Sequence, residues 1–89
     1  MKLDYRFIGW CHENGHDKVW VAIKIGDKYL TVWGARGKKL STLMVTFDKM
    51  MSRIREKEDR YEEIDNLSDV YPDFERDLEK TAVWAILKG

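Results

Sequence analysis

The sequence predicts an α+β fold: a small antiparallel β-sheet of about four strands packed on an α-helix, with a further α-helix at the C-terminus. Three observations predict it. Residues 19–25 and 28–33 alternate at period 2 on either side of a Gly-Asp pair. Residues 47–54 carry apolar side chains at helical spacing. Pro72, followed by Asp73 and Glu75, reads as the start of a last helix.

The first strand is expected over Leu3 to Cys11, with Ile8 and Trp10 on the opposite face from Leu3, Tyr5 and Phe7, so that both faces are covered. Glu13-Asn14-Gly15-His16-Asp17 forms a turn cluster centred on Asn-Gly. Val19, Val21, Ile23 and Ile25 then make an apolar row, with Trp20, Ala22 and Lys24 facing the other way. Gly26-Asp27 is a two-residue hairpin loop whose first position requires a positive φ, and it sets a register. Ile25 opposes Lys28, Ile23 opposes Leu30 and Val21 opposes Val32 on an aliphatic face. Lys24 opposes Tyr29, Ala22 opposes Thr31 and Trp20 opposes Trp33 on the other.

After Trp33, Gly34 and Gly37 free the backbone to turn, and Arg36, Lys38 and Lys39 crowd charge onto that turn. Leu40 to Val45 reads as a fourth strand. Phe47, Met50, Met51 and Ile54 recur at i, i+3, i+4 and i+7, an amphipathic helix with Thr46 as its N-cap. Tyr61 to Leu67 reads as a connector or a short strand. The last helix takes its stripe from Phe74, Leu78, Ala82, Ala85 and Ile86, and Lys88-Gly89 closes it. Two regions result: residues 1–65, a sheet plus helix, and residues 66–89, an acidic helix packed on the same domain.

At 89 residues the chain can bury one modest core and not a large substrate cavity. A single cysteine, Cys11, excludes an internal disulfide. No run approaches the roughly 18 apolar residues of a membrane span, and Met-Lys-Leu-Asp-Tyr lacks a signal peptide's apolar stretch. A cytoplasmic location is therefore expected. The formal net charge of zero conceals a division. Residues 1–55 hold 11 Lys and Arg against 5 Asp and Glu, whereas residues 56–89 hold 5 against 11. Such asymmetry points to an interaction surface with a compensating acidic segment.

In order and spacing, residues 1–65 resemble the WGR domain, a small β-rich module named for a Trp-Gly-Arg motif. Val19-Trp20-Val21-Ala22-Ile23, the run from Tyr29 to Gly37, the helix from Phe47 and the stretch Lys57 to Tyr61 follow that domain's order. Trp33, Gly34 and Gly37 fit the motif; Ala35 stands in the arginine position and Arg36 lies one place later. The resemblance implies a DNA-contacting module, since the WGR domain of poly(ADP-ribose) polymerases sets its tryptophan against a terminal sugar and basic residues against phosphate. Only Trp33 carries over position by position.

The expected function is a non-catalytic nucleic-acid-binding module, with DNA preferred to RNA, engaging backbone or ends. Its expected contacts are Trp33, Arg36, Lys38, Lys39, Lys24 and Tyr29, cations neutralising phosphates beside aromatic rings that stack on sugar or base. A competing reading covers the Trp20/Trp33/Tyr29 face with the C-terminal helix, through Trp84. An alternative function is a protein-interaction or inhibitory factor, viral or anti-defence in kind, acting through the acidic helix. Cys11, His12 and His16 lack the second ligand pair of a zinc site. They also lack an orienting acid or oxyanion element for catalysis. No phosphate-cradling or dinucleotide motif is present. No metal, cofactor, small-molecule substrate or membrane partner is expected, and no enzymatic activity.

Overall fold

The computed structural model describes residues 3–88. Five antiparallel strands form one sheet: β1 (Asp4–Cys11), β2 (Lys18–Ile25), β3 (Lys28–Ala35), β4 (Ser41–Val45) and a two-residue β5 (Glu62–Glu63). Their spatial order is β4-β3-β2-β1-β5. Helix α1 (Phe47–Glu58) follows β4. A 3₁₀ turn (Leu67–Asp69), α2 (Phe74–Glu79) and α3 (Ala82–Lys88) follow β5. The expected α+β class holds. The fifth strand arises where a connector or short strand was expected, through pairing of Glu62 and Glu63 with Trp10 and Gly9.

The central hairpin adopts the register that its loop predicts, with Ile23 opposite Leu30, Val21 opposite Val32, and Trp20 opposite Trp33. Gly26 supplies the positive φ, 62°, which the first position of a two-residue hairpin loop of this kind demands. β1 departs from the expected alternation. Tyr5 pairs with Ile23 but Phe7 pairs with Ala22, so Arg6 is an extra residue in a bulge. Leu3 and Tyr5 therefore join Ile8 and Trp10 on one side of the sheet, and Phe7 goes to the other.

Both faces are covered. On the aliphatic face, Ile8, Val19, Val21, Ile23, Leu30 and Val32 bury against Leu67, Tyr71, Phe74, Leu78 and Trp84. On the other, Phe7, Trp20 and Ala22 bury against Met50 and Ile54 of α1. The helix over the aromatic face is thus α1, and Trp84 lies on the opposite side. Thr46 caps α1 as expected, its hydroxyl accepting from the Lys49 amide at 3.2 Å.

The expected single last helix is two. The Leu78 carbonyl, which a continuous helix would offer to Ala82, instead accepts from the Thr81 amide at 3.0 Å and the Thr81 hydroxyl at 2.7 Å. The break rotates the stripe. Val83, Trp84 and Leu87 turn toward the core, while Ala82, Ala85 and Ile86 are exposed. The closing Gly89 lies outside the described residues.

Ending the chain before Asn66 uncovers the aliphatic face. Leu67, Tyr71, Phe74, Leu78 and Trp84, at about 2 kcal/mol each, account for up to about 10 kcal/mol, comparable with the whole stability of a small domain. The truncated chain is expected to lose its cooperative thermal transition by circular dichroism and to bind a hydrophobic dye. A sharp melt retained by residues 1–65 would contradict this assignment of the core.

Candidate nucleic-acid interface

Trp20 and Trp33 face each other across β2 and β3. Trp20 is fixed in place: it is 4% exposed, with the Phe7 ring edge-on at 5.9 Å. Trp33 is half-buried. Between this pair and the end of α1 lies a groove of about 380 Å³, walled by Trp20, Trp33 and Tyr61 together with Lys18, Arg53 and Lys57. Thr31, Gly34, Leu43 and Val45 complete its lining, and no carboxylate is among the described residues that line it.

Local periodicity assembles this constellation. Lys18 precedes Trp20 by two positions on the same strand and so shares its face. Met50, Ile54, Lys57 and Tyr61 follow one another at steps of four, three and four. The stripe that buries Met50 and Ile54 therefore carries Lys57 over the sheet, and the Tyr61 amide extends the turn by donating to the Lys57 carbonyl at 2.8 Å. The Lys57 ammonium sits 6.0 Å from the Trp20 ring and 5.8 Å from the Tyr61 ring. Burial raises the Tyr61 hydroxyl above its ordinary pKa, with the nearby Cys11 adding to the shift. Arg53 pairs with Glu56 at 3.1 Å on the exposed side of the helix. Such a helical pair is worth only about 0.3–0.5 kcal/mol.

The six residues expected to form the site are not gathered into one place. Trp33 alone lines the groove. Lys24 and Tyr29 pair near the Gly26 loop, at the other end of the hairpin from Trp20 and Trp33, and the Tyr29 ring packs 5.5 Å from Phe47. Lys38 and Lys39 line a separate cavity of about 690 Å³ with Asp77, Lys80 and Thr81.

Arg36 is held in a clamp. Its Nε and Nη2 donate to the two carboxylate oxygens of Asp17, each at 2.6 Å. Its Nη1 donates to the Val70 carbonyl at 2.5 Å, and the guanidinium lies 5.5 Å from the Trp10 ring centre. The one-residue displacement from the motif position thus carries the arginine away from the Trp33 groove and onto the segment that covers the aliphatic face. Tyr71, on the same segment as Val70, donates its hydroxyl to Asp77. Burial first, and then that bond to Asp77, push the Tyr71 hydroxyl up to about 12. Residues 66–89 therefore grip the glycine loop at Arg36.

Lys18, Arg53, Lys57 and Tyr61 were missed at the level of sequence, although the signals exist. Lys18 shares parity with Trp20, and Lys57 and Tyr61 continue the Met50–Ile54 stripe. The described residues bring no group of three or more His, Cys, Asp or Glu side chains together as a metal would need. His12 pairs with Glu62 at 2.9 Å and stacks on Trp10 with ring centres 4.0 Å apart. No described helix is long and apolar enough to cross a membrane. No family model, no curated protein and no solved structure matches the chain.

Asp17 has a pKa below its ordinary 3.8, held down first by the Arg36 hydrogen bonds and then by the Trp10 indole N–H. A depressed carboxyl contributes stability that is fully present above its unfolded pKa and is lost as pH falls through the folded one. Asp17→Asn is therefore expected to melt below the parent at pH 7. The difference should close as both are acidified past the ordinary carboxyl range. Parallel melting curves across that range would remove the clamp from the account.

Proposed function

We propose that the chain is a non-catalytic nucleic-acid-binding module that holds a strand or duplex end in the groove between α1 and the Trp20–Trp33 pair. The observation that carries this reading is the convergence of three cations and three aromatic rings, from β2, β3, α1 and the turn after it, on one groove that no described carboxylate lines. Aromatic faces accept bases or sugars with little regard to sequence, and ammonium and guanidinium groups beside them neutralise phosphate. The WGR resemblance agrees with this reading, since the Lys57–Tyr61 stretch that follows the module's order reaches the same groove as Trp33. In place of the loop residues Arg36, Lys38 and Lys39, the phosphate contacts become Lys18, Arg53 and Lys57. DNA ends and single strands suit a short groove better than uninterrupted duplex.

A second reading assigns partner binding to the acidic segment. Asp73, Glu75 and Glu79 are exposed along α2, and Ile86 is 77% exposed on α3. A protein partner held there would survive nuclease treatment, whereas a nucleic-acid ligand would not.

Tryptophan fluorescence titrations with blunt duplex, nicked duplex and single-stranded oligonucleotide, each at two salt concentrations, test the first reading. Three phosphate contacts predict a log–log salt slope of about −2 to −3. Trp33→Ala is expected to cost about 1–3 kcal/mol of affinity. The Lys18→Ala/Arg53→Ala/Lys57→Ala variant is expected to abolish binding while retaining a cooperative melt. Lys38→Ala/Lys39→Ala is expected to change little. Undiminished binding by the folded groove variant would overturn the assignment.

A further inference from the structure

The sheet has two ends, and they are unlike. β5 ends it with only Glu62 and Glu63, a short acidic edge of the kind that discourages pairing. β4 ends it with Ser41-Thr42-Leu43-Met44-Val45, five residues without a charge, a proline or a glycine. Its outer edge is open, since β4 neighbours only β3. The exposed large apolar side chains among the described residues are Leu43 at 51%, Met44 at 38%, Phe47 at 52% and Ile86. Three of these four lie on β4 or within two residues of it. An uncharged open edge and a local concentration of exposed apolar surface coincide at one place, and each independently marks an interaction surface.

We infer that β4 pairs with β4 of a second copy of this chain, antiparallel about a two-fold axis centred on Leu43. The occupant follows from what the edge offers. An isologous pairing is self-complementary and closes at two copies. Head-to-tail pairing would have to use β5, which is too short and carries two carboxylates. With the axis at Leu43, Ser41 faces Val45 of the second copy, Thr42 faces Met44, and Leu43 faces its own counterpart. No charges meet within the pairing.

Antiparallel pairing keeps corresponding faces on the same side of the joined sheet. Leu43 pairs with Thr31 and Val45 with Tyr29 on the α1 side, so the two α1 helices share one side of a sheet twice as wide. Leu43 also lines the groove described above, and Leu43 of the second copy would abut it. The two grooves would then lie side by side across the axis. That last consequence rests on the nucleic-acid reading; the pairing does not.

Sedimentation equilibrium of the full chain without nucleic acid tests the pairing, from about 10 µM to about 1 mM, the weak range suited to a small interface. The average mass is expected to rise toward twice the chain's 10.6 kDa. Leu43→Lys and Leu43→Glu each place like charges across the axis, and each is expected to stay monomeric while melting cooperatively. An equimolar mixture of the two should recover the dimer, because opposite charges then face each other. A parent chain that stays at one chain mass, single variants that dimerise undiminished, or a mixture that stays monomeric would each overturn the inference. A dimer that forms but binds no oligonucleotide would refute the nucleic-acid reading alone.

Discussion

The β2–β3 hairpin is apolar on both faces, and the architecture follows from that constraint. Val19, Val21, Ile23, Leu30 and Val32 fill one side, and Trp20 and Ala22 the other. A strand pair of this kind cannot leave either face to water, so the chain must supply two covers. Helix α1 provides the first, through Met50 and Ile54. Residues 66–89 provide the second, through a wider set of side chains that reaches from Leu67 to Trp84. The acidic segment is therefore one of the sheet's two covers, although its charge suggests an appendage.

Covering the aliphatic face determines what the glycine loop can do. The loop leaves β3 beside that cover, and its polar groups are taken up there. Arg36 bridges Asp17 and the Val70 carbonyl. A guanidinium with three such bonds gains little by turning to a ligand, because each bond would have to be given up first. Its role is to tie the β1–β2 turn, the loop and residues 66–89 into one body. The proposed phosphate contacts are therefore cations with weaker partners, Lys18, Arg53 and Lys57.

The hairpin register was legible because turn chemistry and side-chain alternation independently require the same pairing, down to Trp20 opposite Trp33. The helix from Phe47 was legible from its stripe and its Thr46 cap. The β1 bulge was not, because an extra residue at Arg6 has no compositional signature; its trace was an alternation that failed between Phe7 and Ile8. The division of the last helix turns on Thr81, whose hydroxyl competes for a helical carbonyl, a preference that the Phe74–Leu78–Ala82 spacing conceals. The choice of cover for each face is a long-range matter that periodicity does not address. The intended site dispersed for a related reason. Arg36, Lys38 and Lys39 are close in sequence to Trp33, but a turn containing Gly37 at φ 77° separates neighbours onto different sides.

Lys57 is the side chain that packing alone does not explain. It continues the stripe of Met50 and Ile54, where a leucine would contribute about 1.5–3 kcal/mol if fully buried. The chain instead sets an ammonium beside two rings, an arrangement worth about 0.5–1 kcal/mol near a surface. The buried stripe of α1 thus ends at Ile54 beside Trp20, and Lys57 takes the next position over the same ring. On the proposed nucleic-acid reading, this departure from the apolar pattern is where a ligand would be met. On the opposite face Leu67, Tyr71, Phe74, Leu78 and Trp84 are all buried, and the Tyr71 hydroxyl donates to Asp77. The asymmetry between a sealed face and an interrupted one is the reason the proposed reading sets ligand contact on the α1 side. Every residue lining that groove belongs to residues 1–65, so residues 66–89 serve it from behind, by holding the sheet that carries it.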